Sequence, residues 1–180
     1  MNRITLAVTG SISAYKAADV TSQLTKAGYE VTVLMTQAAA AFITPLTLQV
    51  LSKRTVHLDV MAEPRPDQVN HIEIAKATDL FLVVPASANT IAKLANGFAD
   101  NMVTTTALAL ESSVQKVIAP AMNTKMLTNP ITQRNLDTLF EVGYQVIQPR
   151  DALLACGDKG SGALADVTTI VDYVKAVLPL

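Results

Sequence analysis

Tryptophan is absent from this 180-residue chain, and aromatic residues of all kinds make up only 4% of it. Cysteine occurs once, as Cys156, so no internal disulfide can form and a reducing compartment fits. With only two histidines and that one cysteine, no set of side chains stands at metal-ligand spacing, and no metal is expected. Neither charge dominates: 14 Lys and Arg face 15 Asp and Glu, which leaves no basic surface for nucleic acid. No apolar run is long enough to cross a bilayer. The start of the chain also lacks a secretion signal, because strand-like ITLAV gives way to Gly10 and Ser11. A cytoplasmic protein with no membrane partner is expected.

What the chain does have is apolar mass, 50% of its residues, enough for one substantial core over residues 1–180. Short apolar runs recur at Ile4 to Val8, Glu30 to Met35, Leu80 to Val84, Lys116 to Ala119 and Tyr144 to Ile147. Helical patterns separate them, among them Ser13 to Ala27, Pro130 to Val142 (Ile131, Leu136, Leu139, Phe140) and Val167 to Val177. Such alternation predicts an α/β three-layer sandwich with a mainly parallel sheet, flavodoxin-like or Rossmann-like, in a single domain. Leu80 to Val84 shows no polar alternation and predicts a central strand buried on both faces, with Pro85 expected to end its ladder.

Five stretches carry residues capable of chemistry. The turn Gly10-Ser11-Ile12-Ser13 follows the first strand and has one glycine. It therefore matches neither the dinucleotide nor the Walker pattern, but can hold a single phosphate. Ser13 serves equally well as a helix N-cap. Ser87-Ala88-Asn89-Thr90 follows the central strand, where open α/β sheets hold anionic cofactors at a helix start; an ordinary capped βα turn fits as well. Pro120-Ala121-Met122-Asn123 repeats the arrangement after the next strand. Asn123 can grip a carboxylate or amide without adding charge, or cap the turn Thr124 to Leu127. In Ala155 to Gly162, three of the seven glycines fall within six residues, which predicts a mobile flap bearing Cys156. His71, in NHIEIAK before the central strand, is either structural or a proton acceptor or donor, the usual catalytic use of an imidazole.

GSIS, NHIEIAK, PASANT, PAMNTKM and ACGDKGSGAL stand in the order found in the flavin-dependent cysteine decarboxylases, which the chain resembles from Ile4 to about Val174. The resemblance implies FMN as cofactor, met by Gly10, Ser11, Ile12 and Ser13, by Thr36, by Ser87, Ala88, Asn89 and Thr90, and by Ala121. It implies His71 as the active-site base and Cys156 as the acid. Asn123, Leu153, Ala155 and Leu164 would contact substrate beneath a flap from Leu153 to Leu164. The histidine and the ACGD flap resemble the branch acting on phosphopantothenoylcysteine in coenzyme A biosynthesis; peptidyl-cysteine decarboxylases lack that cysteine. Relatives form trimers or dodecamers, so a homo-oligomer is implied, with His71 able to act across an interface.

Two positions depart from the family pattern. Leu127 stands where tryptophan is frequent, and Ala163-Leu164 stands where Arg-Met or Ala-Met is found. The first change affects packing, and at 164 leucine keeps the size of methionine. The implied chemistry is oxidation of the cysteinyl carbon to a thioaldehyde, loss of carbon dioxide, and re-reduction of the enethiolate with a proton from Cys156. Two rival readings are an aromatic-lined acidic electron carrier, which the near-neutral tryptophan-free composition disfavours, and a flavin-binding regulatory subunit, which has no need of both His71 and Cys156.

Overall fold

The computed structural model describes residues 2–155, 157 and 159–180. Six strands, β1 (Arg3–Val8), β2 (Glu30–Met35), β3 (Val56–His57), β4 (Leu80–Ala86), β5 (Gln115–Pro120) and β6 (Tyr144–Val146), form one parallel sheet in the order β3-β2-β1-β4-β5-β6. This is the doubly wound dinucleotide-fold order. Without the two-residue edge strand β3 it is also the flavodoxin order. The crossovers carry helices α1 (Ala17–Ala27), α2 (Gln37–Ala40), α3 (Pro45–Ser52), α4 (Asn70–Lys76), α5 (Ala88–Ala95), α6 (Met102–Leu108), α7 (Thr124–Leu127) and α8 (Pro130–Glu141). After β6 comes an antiparallel ribbon, β7 (Arg150–Leu153) with β8 (Lys159–Ala163), and then α9 (Val167–Val177).

Strand residues alternate between two cores, one on each face of the sheet. Leu80, Leu82 and Val84 of β4 join Leu24, Ile170 and Val174 on one face, while Phe81, Val83 and Ala86 join Ile91, Met102 and Leu139 on the other. All seven residues of β4 are buried, as the unbroken apolar run requires. Among the described residues no helix is long and apolar enough to cross a membrane.

Several expectations need correction. Pro85 does not end the ladder: β4 continues to Ala86, with its pairing to β5 irregular between Val83 and Ala86. Buried Thr9 bridges that irregularity. Its hydroxyl donates to the Pro85 carbonyl at 2.6 Å and accepts from the Ser87 N–H at 2.9 Å. The helix expected from Ser13 begins as a 3-10 turn, Ile12–Lys16, and its cap is Ser11, not Ser13. The glycine-rich flap is the ribbon β7–β8. On α8, Leu136 and Leu139 face the core, but Ile131 and Phe140 are exposed. Helices α3 and α6 were not foreseen, although Thr44-Pro45 and Asn101 mark their starts with a cap.

Candidate active site

A cavity of about 820 Å³ opens where β1 and β4 send their crossovers to opposite faces of the sheet. Gly10, Ser11, Ile12 and Ser13 line it from the end of β1, and Thr36 from the end of β2. Ser87, Ala88, Asn89 and Thr90 line it from the end of β4, and Ala121 and Asn123 from the end of β5. The ribbon adds Leu153, Ala155 and Leu164. One cavity thus gathers every residue expected to touch cofactor or substrate, apart from the two proposed for proton transfer. Cys156 lies outside the described residues.

The capping role and the pocket-lining role coexist in the same side chains. Ser11 accepts from the Ser13 N–H at 3.3 Å, Thr36 from Ala39 at 3.2 Å, Ser87 from Thr90 at 3.2 Å and Asn123 from Lys125 at 2.8 Å. A hydroxyl has one donor and two acceptor sites, so the capping bond does not exhaust Ser11 or Thr36, while Ser87 also donates to Thr90 Oγ1 at 3.2 Å. The first turn of α5 lines the cavity, and a helix start carries partial positive charge.

Four charged side chains also line the cavity: Lys16, Lys93, Asp100 and Arg150. Lys93 bonds Asp100 and holds that carboxyl below its ordinary range. Arg150 donates from Nε to the Leu164 carbonyl at 3.2 Å and pairs with Asp166 at 3.1 Å. Lys16 forms no ion pair among the described residues. Sequence reading missed Lys16 and Arg150, since a lysine in a helical turn and an arginine before a loop carry no local mark of a pocket.

The ribbon sits on the loop after β5 by close approach. The Met122 N–H donates to the Gly162 carbonyl at 2.9 Å. A Cβ at Gly162 would lie 2.2 Å from the Met122 carbonyl oxygen, and one at Gly160 would lie 2.6 Å from Thr124 Oγ1. Leu164 is fully buried at the point where the ribbon rejoins the core. Leu127 is buried as well, so its departure from the family pattern concerns packing.

His71 does not line this cavity. It lies in the first turn of α4, partly buried, and its Nδ1 is buried without a hydrogen-bond partner among the described residues. The other histidine, His57, accepts from the Asn70 side chain at 3.1 Å. Burial, and then the nearby Arg54 charge, hold its pKa below the ordinary histidine range.

A family model described as flavoprotein matches residues 1–179. The chain is 61% identical over 176 residues to a probable phosphopantothenoylcysteine decarboxylase of Streptococcus mutans, covering 98% of each chain. It is 46% identical over 172 residues to the coenzyme A biosynthesis bifunctional protein CoaBC of Bacillus subtilis; the match takes in 96% of this chain and 42% of that protein. Among solved structures it is similar to a cysteine-to-serine mutant of PPC decarboxylase complexed with pantothenoylaminoethenethiol. There the TM-score is 0.90 and the identity 34%, over 98% of this chain and 97% of that one. It is also similar to the FMN-dependent cysteine decarboxylase SpaF, with a TM-score of 0.83 and 30% identity over 96% of this chain and 94% of that one.

Proposed function

The chain belongs to the flavoprotein family, and from that premise we propose that it decarboxylates phosphopantothenoylcysteine to phosphopantetheine for coenzyme A biosynthesis, with FMN as its cofactor. One observation carries this conclusion: a single cavity brings together the loops after β1, β2, β4 and β5 with the ribbon. Its lining suits FMN. Serine and threonine side chains at the starts of short helical turns offer donors to a phosphate, while Ile12, Phe42, Ala121 and Leu153 offer apolar surface to a flat ring.

When bound, FMN supplies a reversible two-electron exchange with the cysteinyl carbon, which gives the departing carboxylate's electrons an acceptor in a thioaldehyde. The protein's own contribution is position and proton management. Gly10 to Ser13, Thr36, Ser87 to Thr90 and Ala121 hold the cofactor, and Asn123 orients the substrate carboxylate or amide. Leu153, Ala155 and Leu164 close over the substrate and exclude water. His71 takes the thiol proton, and Cys156 returns a proton to the enethiolate. The Cys156 role comes from the family resemblance. A cysteine-to-serine mutant of a related decarboxylase in complex with an enethiol is in keeping with it.

Since His71 of one chain lies off the cavity lining, the proposal includes a homo-oligomer, a trimer or dodecamer, in which one subunit's cavity meets His71 of the partner subunit. The apolar side chains at the cavity mouth support this: Ile12 and Tyr15 are each 57% exposed and Phe42 is 48% exposed. The cytoplasm is the proposed compartment.

The test is to purify the protein, measure bound flavin, and follow carbon dioxide loss by mass for phosphopantothenoylcysteine beside a peptide ending in cysteine. Decarboxylation of the small substrate alone is expected; turnover of the peptide alone would replace this reading with a peptidyl-cysteine decarboxylase. His71→Asn should stay yellow and folded while losing about two to four orders of magnitude in kcat. Cys156→Ser should accumulate the enethiol, and full yield of saturated product from it would remove Cys156 from its role.

A further inference from the structure

The first turn of α4 carries His71 yet lacks the device that starts most helices of this chain. At α2, α3, α5, α6, α7 and α8 the cap is a Thr, Ser or Asn whose side chain accepts a backbone N–H. At α4 the cap position is Val69, whose side chain can accept nothing. Two bonds from earlier in the chain hold this helix start instead, and both end on Asn70, the residue before His71. Glu63 Oε2 accepts from the Asn70 N–H at 2.7 Å, and His57 Nδ1 accepts from Asn70 Nδ2 at 3.1 Å. His57 closes β3, so the second bond fastens the helix start to the edge of the sheet.

A histidine in catalysis is ordinarily oriented by the hydrogen bond that its other ring nitrogen makes. His71 Nδ1 makes none among the described residues, although it is buried. The direction of its ring is therefore set by the backbone of the turn and by packing.

We propose that His57 is a positioning residue for decarboxylation: by accepting the Asn70 amide it fixes the first turn of α4, and through that turn the His71 ring. This rests on the reading of His71 as the proton acceptor. An imidazole can accept at Nδ1 only when that nitrogen is unprotonated, and the partly buried site beside Arg54 favours the neutral form. The inference concerns a residue outside the cavity and outside every motif that carries the family resemblance.

The test compares His57→Leu with His57→Asn in the FMN-loaded protein. Leucine removes the acceptor, whereas the asparagine oxygen can stand near Nδ1. His57→Leu should lower kcat about tenfold to a hundredfold, with KM and bound flavin within about twofold of the parent. His57→Asn should recover most of the loss. The chain has two histidines, so in either variant the one imidazole Cε1–H resonance belongs to His71. That resonance should shift in His57→Leu and return toward the parent position in His57→Asn. Unchanged kcat in His57→Leu, or an asparagine variant no better than the leucine one, overturns the proposal. If His71→Asn itself turns over normally, the base assignment fails and a role for His57 in decarboxylation fails with it. The resonance comparison then still reports whether His57 orients the ring.

Discussion

β4 and the ribbon β7–β8 both end at the cavity, and they are held there by opposite means. Every residue of β4 is buried between two cores, and its Pro85 carbonyl and the following Ser87 N–H are bridged by the buried Thr9 hydroxyl. Of the ribbon, Arg150, Asp151, Leu153 and Lys159 are exposed, and it sits down through Gly160 and Gly162 against Thr124 and Met122. Under the proposed function, the cofactor side of the site inherits its rigidity from the sheet, while the substrate side depends on two close approaches of the ribbon's backbone. A cradle that must hold a cofactor through every turnover and a cover that must admit substrate call for this division.

The sharpest way to break the comparison is a pair of leucines. Leu82→Ala, in the fully buried middle of β4, should cost about 2–5 kcal/mol, read as a lower urea midpoint. Leu153→Ala, 70% exposed on the ribbon, should leave stability within about 0.5 kcal/mol while raising KM. Equal loss of stability from the two would erase the contrast. Next comes Gly162→Ala. With φ at +136° and the added Cβ 2.2 Å from the Met122 oxygen, the ribbon must lift from its seat, at about 1–3 kcal/mol of local strain. The expected result is a loss of about tenfold or more in kcat/KM with full flavin occupancy. Loss of flavin instead would place the ribbon in the cradle.

Thr9→Val sharpens the other side. It strands the buried Pro85 carbonyl and the partly buried Ser87 N–H, about 1–3 kcal/mol, and should weaken flavin retention more than it changes KM. Ser87→Ala removes a cap, about 0.5–2 kcal/mol, together with a hydroxyl that donates to Thr90 Oγ1 at 3.2 Å and lines the cavity, and it too should weaken flavin retention by equilibrium dialysis. A Thr9→Val protein that keeps its flavin as tightly as the parent would show that the loop after β4 needs no bridge.

The same division decides what could be read from residues alone. β2 and α9 have the bounds their patterns predict, because apolar periodicity is a local property that burial rewards directly. The loops at the strand ends were legible for the same reason: strand, small residues and a cap follow one another within a few positions. Pro85 was misjudged because Thr9, 76 residues earlier, supplies the bridge that keeps β4 going. The glycine-rich stretch reads as a mobile flap, not as a paired ribbon, because its glycines answer to Met122 and Thr124 and not to their sequence neighbours. His71 carried a mark of chemistry but none of direction. The bonds that hold its turn come from Glu63 and His57, across a loop of two prolines and three charges that shows no periodicity.

The smallest expected effect is a pH dependence confined to the α4 side. No residue of β4 ionises, whereas the start of α4 leans on an imidazole. Burial and then Arg54 lower the His57 pKa in the folded chain below its usual value near 6.5. The folded state therefore binds this proton less readily than the unfolded state, and stability rises with pH through the interval between the two values. The contribution is complete above about 6.5 and declines as pH falls from there toward the folded-state pKa, below which it is flat. Urea midpoints at about pH 7.5 and about pH 5 should fall farther in the parent than in His57→Asn, which has nothing to protonate there. Arg54→Gln removes the second cause of the shift and should narrow the difference without abolishing it, since burial remains. Arg54 is also paired with Glu30 at 3.1 Å, so Glu30→Gln, which leaves the Arg54 charge unbalanced, should widen it. Opposite movements in these two variants would trace the acid sensitivity to the edge of the sheet that holds His71, and identical movements would trace it elsewhere.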